Sequence, residues 1–478
     1  MGVAYNSRII TDGLVLALDA ANNKSILSTV EVLVVAGGGA GGNGTGSGYE
    51  SGGGGAGGLI YSSSHSITPG SAITVTVGAG GASATSSTPA ANGANSVFGA
   101  LTAIGGGGGA TAPAVGSSGG SGGGGSHNQT GGGSGTAGQG FSGATPAQGS
   151  SGGGGGGAGG PGKSTSSNAD GSGGIGLPFS ISGSLQYYAG GGGGSRHTDV
   201  SGGLGGGGAG VSLSAGYANG SPGGTNTGGG GGGANQPATN TGGGAGGSGI
   251  IIVRYPGSQR ASGGTVTSVG GYTIHTFTTS GTFTPTWGDM STNGNTGTLT
   301  NGPTYSSANG GSIVFDGSND YIDCGDTFSL SITIGTVCAW FKKPHGSVYK
   351  GLVDKGRDGY GAWSLNVDEV GNTATFKARI SGTNRSIIAS SNYGNNIWTY
   401  VCGVYDGTTL AIYQNGIISN SASYSGTIGT NSVSVKIGSA SDGLHFDGNI
   451  AQASIYNRAL SAAEISQNFN ALRGRFGI

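Results

Sequence analysis

Eight residues near the middle of the chain, Gly157-Ala-Gly-Gly-Pro-Gly-Lys163-Ser164, match the phosphate-binding P-loop expression letter for letter. A phosphate cradle needs a buried strand before the glycines and a helix after the lysine, so that backbone N–H groups converge on the anion. Here a glycine run precedes the match and a Ser-, Asn- and Asp-containing segment follows it, so the match reads as chance. Glycoside cleavage would need two carboxylates facing one sugar. The glutamates are Glu31, Glu50, Glu369 and Glu464, and none falls in a paired pattern. Asp316 and Asp320, with Asp323 and Asp326 close behind, cluster better and make calcium a candidate cofactor. Turn chemistry and strand-end polarity are the simpler reading of these aspartates. The six histidines are scattered without zinc-ligand spacing.

The remaining side chains able to do chemistry punctuate long glycine runs: Tyr49, His127, Asn128, Phe141, Tyr187, Tyr188, Arg196, His197 and Tyr217. Aromatic rings stack on sugars, and Tyr is a frequent interface anchor, so these positions are candidate ligand-binding tips. Internal packing is the competing reading, above all for Leu177–Phe179, Ile181 and Tyr187.

Whatever displays these tips is made mostly of glycine. Most of the 117 glycines lie between Val35 and Gly249, in runs such as 105–109, 152–157 and 228–233. From Val32 to Val253 the only charged residues are Glu50, Lys163, Asp170, Arg196 and Asp199. Such composition reads as low complexity. Disordered chains, however, stay in solution through charge and proline, and this segment has little of either. Backbone packed on backbone is the alternative. An extended threefold helix rises about 3.1 Å per residue without internal hydrogen bonds, so its amides must bond to neighbouring chains. Six glycines span about two turns, or nearly 19 Å. Ordering each residue costs about 1–2 kcal/mol and each hydrogen bond returns about 0.5–1.5, so many runs must cooperate.

Two apolar strands, 30–36 and 250–255, bracket this body and are expected to pair. Shorter strands are expected at 73–77 and 96–104, and a Thr-rich hairpin turns at Gly270-Gly271. In that hairpin Tyr272, Ile274 and Thr276 share one face, and Thr273, His275 and Phe277 the other. From residue 286 onward the pattern is all-β, with strands expected at 312–315, 321–324, 332–342, 362–367, 373–380, 398–405, 410–414, 433–437 and 450–456. Trp363, Trp398 and Tyr405 read as core. Ser461-Ala-Ala-Glu464 is a capping box opening a C-terminal helix that carries Ile465, Phe469 and Leu472 on one face.

The net charge of -1 and pI near 6.6 give no case for nucleic acid or an anionic membrane as partner. No run approaches the roughly 18 apolar residues of a membrane span. Residues 1–12 lack a signal-peptide pattern, so release by lysis or by a dedicated machine is the expectation. Cys324, Cys338 and Cys402 lie in apolar strand-like runs, which favours buried thiols, with one bridge and a spare thiol as the alternative.

Two further segments carry a resemblance: Gly317-Ser-Asn-Asp-Tyr-Ile322 after Ser312-Ile-Val-Phe-Asp316, and Ala451-Gln-Ala-Ser-Ile-Tyr-Asn-Arg-Ala-Leu-Ser461. They resemble the concanavalin A-like, laminin G-like jelly rolls found in phage structural proteins and secreted bacterial proteins. In that family a first strand like Asp12 to Asp19 shortly precedes a segment like Trp287-Gly-Asp-Met-Ser-Thr-Asn-Gly-Asn295. Here the glycine body separates the two, which implies insertion into a jelly-roll loop. The body itself, opening with Val30-Glu-Val-Leu-Val-Val-Ala-Gly-Gly-Gly39 and closing with Gly249-Ile-Ile-Ile-Val-Arg-Tyr255, resembles glycine-rich modules of phage tail-fibre adhesins, some of which stack polyglycine II helices.

The expected architecture is therefore all-β. It comprises a first jelly-roll strand in 1–27, an inserted glycine-rich polyglycine II module in 28–257, a Thr-rich hairpin connector in 258–286, and a lectin-like jelly roll with a C-terminal helix in 287–478. The resemblances imply a non-enzymatic phage virion adhesin, assembled in the host cytoplasm and acting outside the cell. Its partners would be a host-surface glycan or protein, other virion proteins and a second copy of itself. A head or tail decoration protein without a receptor is the alternative.

Overall fold

The computed structural model describes residues 8–22, 25–44, 50–83, 90–111, 114–127, 131–146, 151–164, 171–195, 200–212, 218–235, 242–346, 349–356, 362–368, 371–440 and 443–478. The fold is all-β, with one α-helix, Ala462–Leu472, among the described residues.

The bracket strands pair as their composition demands. Thr29–Val35 lies antiparallel to Ile250–Pro256, with Val35 opposite Ile250 and Glu31 opposite Arg254. Leu59–Ser66 extends this bracket sheet on one side, and the hairpin Thr265–Val269/Tyr272–Phe277 on the other. The chain then crosses to a second five-stranded sheet, where Gly281–Pro285 pairs with Ile73–Thr76. The 258–286 segment thus supplies strands to both sheets of the glycine module. Val32, Val34, Ile251, Val253, Phe277, Phe98 and Phe283 fill the space between them. The single strand expected at 96–104 is instead a tight hairpin, Ser96–Phe98 and Leu101–Ala103, because Gly99 takes φ 56° and reverses the chain.

Strand ends run directly into glycine rows, and the rows obey a period of three. Ala36, Gly39 and Gly42 donate their N–H groups to Gly58, Gly55 and Gly52 at 2.8–3.0 Å. Gly37 and Ala40 donate to Ala94 and Ala91, while Gly38 and Gly41 donate to Gly247 and Gly244. The row 52–58 repeats the pattern: every third amide reaches 104–110, the next set 153–156, the last 228–231. Three residues per turn and no internal bond are the properties of the polyproline II helix, so these are stacked polyglycine II helices. The glycines in rows 37–42 and 52–58 do not use the left-handed backbone region. They are needed for space. A Cβ on Gly53 would fall on the carbonyl of Gly192, and one on Gly54 on that of Gly39. Ala40 and Ala90 pack together where the lattice leaves room for methyls.

Leu14–Asp19 pairs with Asp447–Tyr456, placing the N-terminal strand in the jelly roll. The segment 287–295 clamps it. The Asp289 carboxylate accepts from the amides of Ala17, Ser291 and Asn295 at 2.8 Å, and the Asn295 amide donates to the Val15 carbonyl at 2.7 Å. Chain departure and return therefore meet at one place, as an insertion requires. The jelly roll itself is an eight-stranded sheet facing a seven-stranded one, with Val337, Phe341, Trp363, Leu365, Phe376 and Tyr405 in the core between them. The eight-stranded sheet's outer face is covered by the helix, where Trp340 packs against Phe469 and Phe476.

The three cysteines do not all remain thiols. Cys338 and Cys402 lie directly opposite on adjacent strands, 4.1 Å apart at Cα, and form a disulfide. Their pairing depends on a register that composition does not disclose. Cys324 is free and buried, and burial pushes its thiol up.

The lattice makes a specific prediction. Gly54→Ala should lower unfolding free energy by about 3 kcal/mol, since the methyl meets a fixed carbonyl. Gly160→Ala, whose methyl would meet only the Ile175 side chain at 3.4 Å, should stay within about 0.5 kcal/mol of the parent in the same denaturant titration. The helix makes another. Glu464 is held down to about 2 by Arg458, by the Ser461 amide and by the cap hydroxyl. A depressed carboxylate contributes stability above its unfolded value, 4.5, and loses it as pH falls toward 2. Glu464→Gln should therefore be less stable than the parent at pH 7, with melting temperatures converging as pH falls through that window.

Candidate functional site

Of the tips read from the sequence, Tyr49, Asn128, Arg196, His197 and Tyr217 lie outside the described residues. His127 is half-buried at a turn, its amide bonded to the Glu50 carbonyl at 3.0 Å. Phe141 is 47% exposed and lines a depression of about 510 Å³ with Ser134, Gly135, Ala137, Gly138 and Gln139. Tyr187 and Tyr188 separate. The hairpin Leu177–Phe179/Gln186–Tyr188 turns Tyr188 inward against Ile181, Leu33 and Ile252, while Tyr187 faces out. Tyr188 is thus core, because the pleat assigns adjacent residues to opposite faces.

The P-loop match lies among glycine rows: Ala158 donates to the Ala189 carbonyl and Lys163 to that of Ser172. Asp316 and Asp320 spend their carboxylates on a turn. Asp316 accepts from the Ser318 amide at 2.8 Å, which lowers its pKa, and Asp320 accepts from the Asp316 amide at 3.1 Å. Burial raises Asp320. Among the described residues no group of three or more His, Cys, Asp or Glu is placed to hold a metal. Trp363, Trp398 and Tyr405 are all buried, as read.

A site absent from that reading spans the outer face of the seven-stranded sheet. Register alone assembles it. Asp323 stands opposite Lys436, Lys436 opposite Asp354, Asp354 opposite Ser364, Ser364 opposite Lys377, and Lys377 opposite Ser386. The parallel row one residue away, Ile322, Ile437, Val353, Leu365, Phe376 and Ile387, belongs to the core. Since side chains alternate across a strand, the polar row faces away from the core. A second outer row runs Gly351, Asn366, Thr375, Ile388.

The two ends of this face carry flat rings under cations. The Lys436 ammonium sits 4.7 Å from the Tyr321 ring centre, and Lys377 sits 4.7 Å from that of Tyr349. The His445 ring lies 6.4 Å from Tyr321. Between the ends the floor is polar yet covered: Ser364, Asn366 and Thr375 are buried. Asn366 donates to Ser364 Oγ at 2.7 Å, but Asn366 Oδ1 and Thr375 Oγ1 have no hydrogen-bond partner among the described residues. An unmatched buried acceptor costs about 1–3 kcal/mol. Retained in a sheet whose other face is a packed core, such atoms make this floor polar, although both are closed off from solvent.

The segment 21–256 matches the family described as a glycine-rich domain, and 316–466 that of the concanavalin A-like lectin/glucanases superfamily. Each match spans less than half of the chain. No curated protein matches the chain. Similar solved structures include the binding domain of Paraclostridial Mosquitocidal Protein 1, 19% identical over 38% of this chain and 49% of that one, with a TM-score of 0.33. The likeness thus spans about half of that domain. Domain 4 of a GH43 extracellular arabinanase from Geobacillus stearothermophilus, in complex with arabinotriose, is 18% identical over 38% of this chain and 91% of that one, TM-score 0.33. A CBM40 of the Ruminococcus gnavus IT-sialidase, bound to α2,3 sialyllactose, is 13% identical over 32% and 94%, TM-score 0.28. Likenesses of this size do not bear on ligand.

If the unmatched acceptors serve a ligand, their removal should trade function for stability. Thr375→Val keeps the shape and deletes the unmatched oxygen. It should unfold at the same or a higher denaturant midpoint than the parent, while weakening whatever ligand the face binds about tenfold. A clear loss of stability would place the hydroxyl in the fold instead.

Proposed function

We propose that the chain is a non-catalytic adhesin of a phage particle, which recognises a glycan or protein on the host surface through the polar face of its jelly roll. The observation that carries this reading is the buried, polar and incompletely bonded floor around Asn366 and Thr375, framed by Tyr321 and Tyr349. Hydroxyl-rich ligands can bond the half-buried Lys377 and Lys436 ammonium groups that border this floor, and the framing rings supply apolar faces. The glycine module acts as a mount. Its rows of seven residues extend about 22 Å with no side chain larger than a methyl, and its tips add a second region for contact. The virion setting is supported by the likeness of the glycine body to tail-fibre modules. Action outside the cell is supported by the Cys338–Cys402 disulfide, a bond that persists in oxidising surroundings.

Catalysis is disfavoured on chemical grounds. Asp323 and Asp354 share the face, but Lys436 stands between them in the row, and Asp354 Oδ2 accepts from the Gly356 amide at 3.0 Å. A decoration protein of head or tail, with no receptor, is the competing reading.

Glycan-array binding by the full chain tests the proposal. Binding that weakens about tenfold or more in Lys377→Ala or Asn366→Ala, with no turnover of the bound glycan, is the expected outcome. Absence of binding to glycans and to host surfaces alike favours the decoration protein, and turnover overturns the non-catalytic reading. Locating the chain at a distal tip or in the shell of an intact particle gives an independent check.

A further inference from the structure

The bracket sheet of the glycine module carries a row of flat groups that its packing does not require. Glu31 and Arg254 face each other on the two bracket strands, and the guanidinium grips the carboxylate through Nε at 2.7 Å and Nη2 at 2.8 Å. On one side Tyr61 donates its hydroxyl to Glu31 at 2.8 Å, and its ring lies 4.8 Å from that of Phe179. On the other side the Arg254 guanidinium lies 4.6 Å from the centre of the Tyr272 ring. Tyr61 and Tyr272, at the two ends, are 42% and 39% exposed.

The middle of the row is neutral but not saturated. Arg254 uses Nε, Nη1 and Nη2 once each, the Nη1 bond going to the Ser180 carbonyl at 2.9 Å. A guanidinium has five N–H groups and a carboxylate about four acceptor positions. Two donors on Arg254 and one acceptor position on Glu31 therefore stay uncommitted among the described residues. A fixed donor beside a fixed acceptor, flanked by aromatic faces and without net charge, is matched by vicinal hydroxyls on a ring that also has an apolar C–H face. An ionic ligand would gain nothing from a pair whose charges cancel.

We propose that the row Tyr61–Glu31–Arg254–Tyr272 is a second binding subsite, for a pyranose ring of a neutral sugar, carried by the glycine module and separate from the jelly-roll face. The sugar's C–H face lies on an exposed tyrosine ring, and two neighbouring hydroxyls bridge Arg254 and Glu31. Saturation-transfer NMR on the full chain tests this with the methyl glycosides of glucose, galactose, mannose and N-acetylglucosamine, each at about 10 mM, where binding in the millimolar range is read directly. At least one sugar is expected to receive saturation on its ring protons. Measured in an Asn366→Ala background, which weakens the jelly-roll face, that transfer should fall about five- to tenfold on adding Tyr61→Ala or Tyr272→Ala, and persist on adding Tyr61→Phe. Because Tyr61 also packs on Phe179, Tyr272→Ala carries the test should Tyr61→Ala alter the melting temperature. Transfer to none of the four sugars, or transfer in the Asn366→Ala background that survives the addition of Tyr272→Ala, overturns the proposal. Transfer abolished by Asn366→Ala would place the sugar on the jelly roll instead and overturn it equally.

Discussion

A threefold extended helix can bond only outward, and this single fact organises the molecule. Every amide in a glycine row must find its acceptor on another row, and successive amides point about 120° apart. One row therefore needs three neighbours, and each neighbour must come close enough to leave no room for a side chain. Residues 36–42 and 52–58 meet both conditions, spending their amides in turn on three different rows. The lattice is thus cooperative in a way that a β-sheet is not. Removing one row strands donors on three others, and no row is stable alone.

Such a lattice also needs a defined beginning. The two five-stranded sheets provide it, since strands Thr29–Val35 and Ile73–Thr76 lead into rows while other rows feed Leu59–Ser66 and Ile250–Pro256. The apolar core between these sheets fixes the relative height of the rows, which glycine alone could not do. The chain leaves the jelly roll and returns to it at one place, where Asp289 and Asn295 grasp the backbone of Val15 and Ala17. Two lengths of chain separated by the whole insertion are thereby held as neighbours. This allows the jelly roll to keep its first strand.

Much of this was legible in the sequence, for reasons that differ by element. The bracket strands announced themselves by continuous β-branched runs, and the capping box at Ser461 and Glu464 is present in both of its hydrogen bonds. The glycine rows could be inferred from what the segment lacks, namely charge and proline. Edge strands Thr383–Asn392 and Ile417–Ser423 were not foreseen. They lie at the rims of their sheets, largely exposed, so their sequences carry little alternation. The polar face is not legible in the sequence for another reason. Asp323, Asp354, Ser364, Lys377 and Lys436 come from five strands, and only register brings them into line. A partial signal existed in Ser364, Asn366, Thr375 and Lys377, polar residues alternating with core residues in two successive strands. The inward position of Tyr188 is hidden in the same way, because residue type does not disclose which pleat of its strand faces the core.

Native-state hydrogen exchange of the amides in rows 36–42 and 52–58 tests the lattice most directly. If each N–H is held by a neighbouring row, these amides exchange as slowly as those of the bracket strand Ile250–Pro256 and are released together with it. Exchange near the rate of an unstructured chain in both rows, while the jelly roll remains protected, would contradict the account.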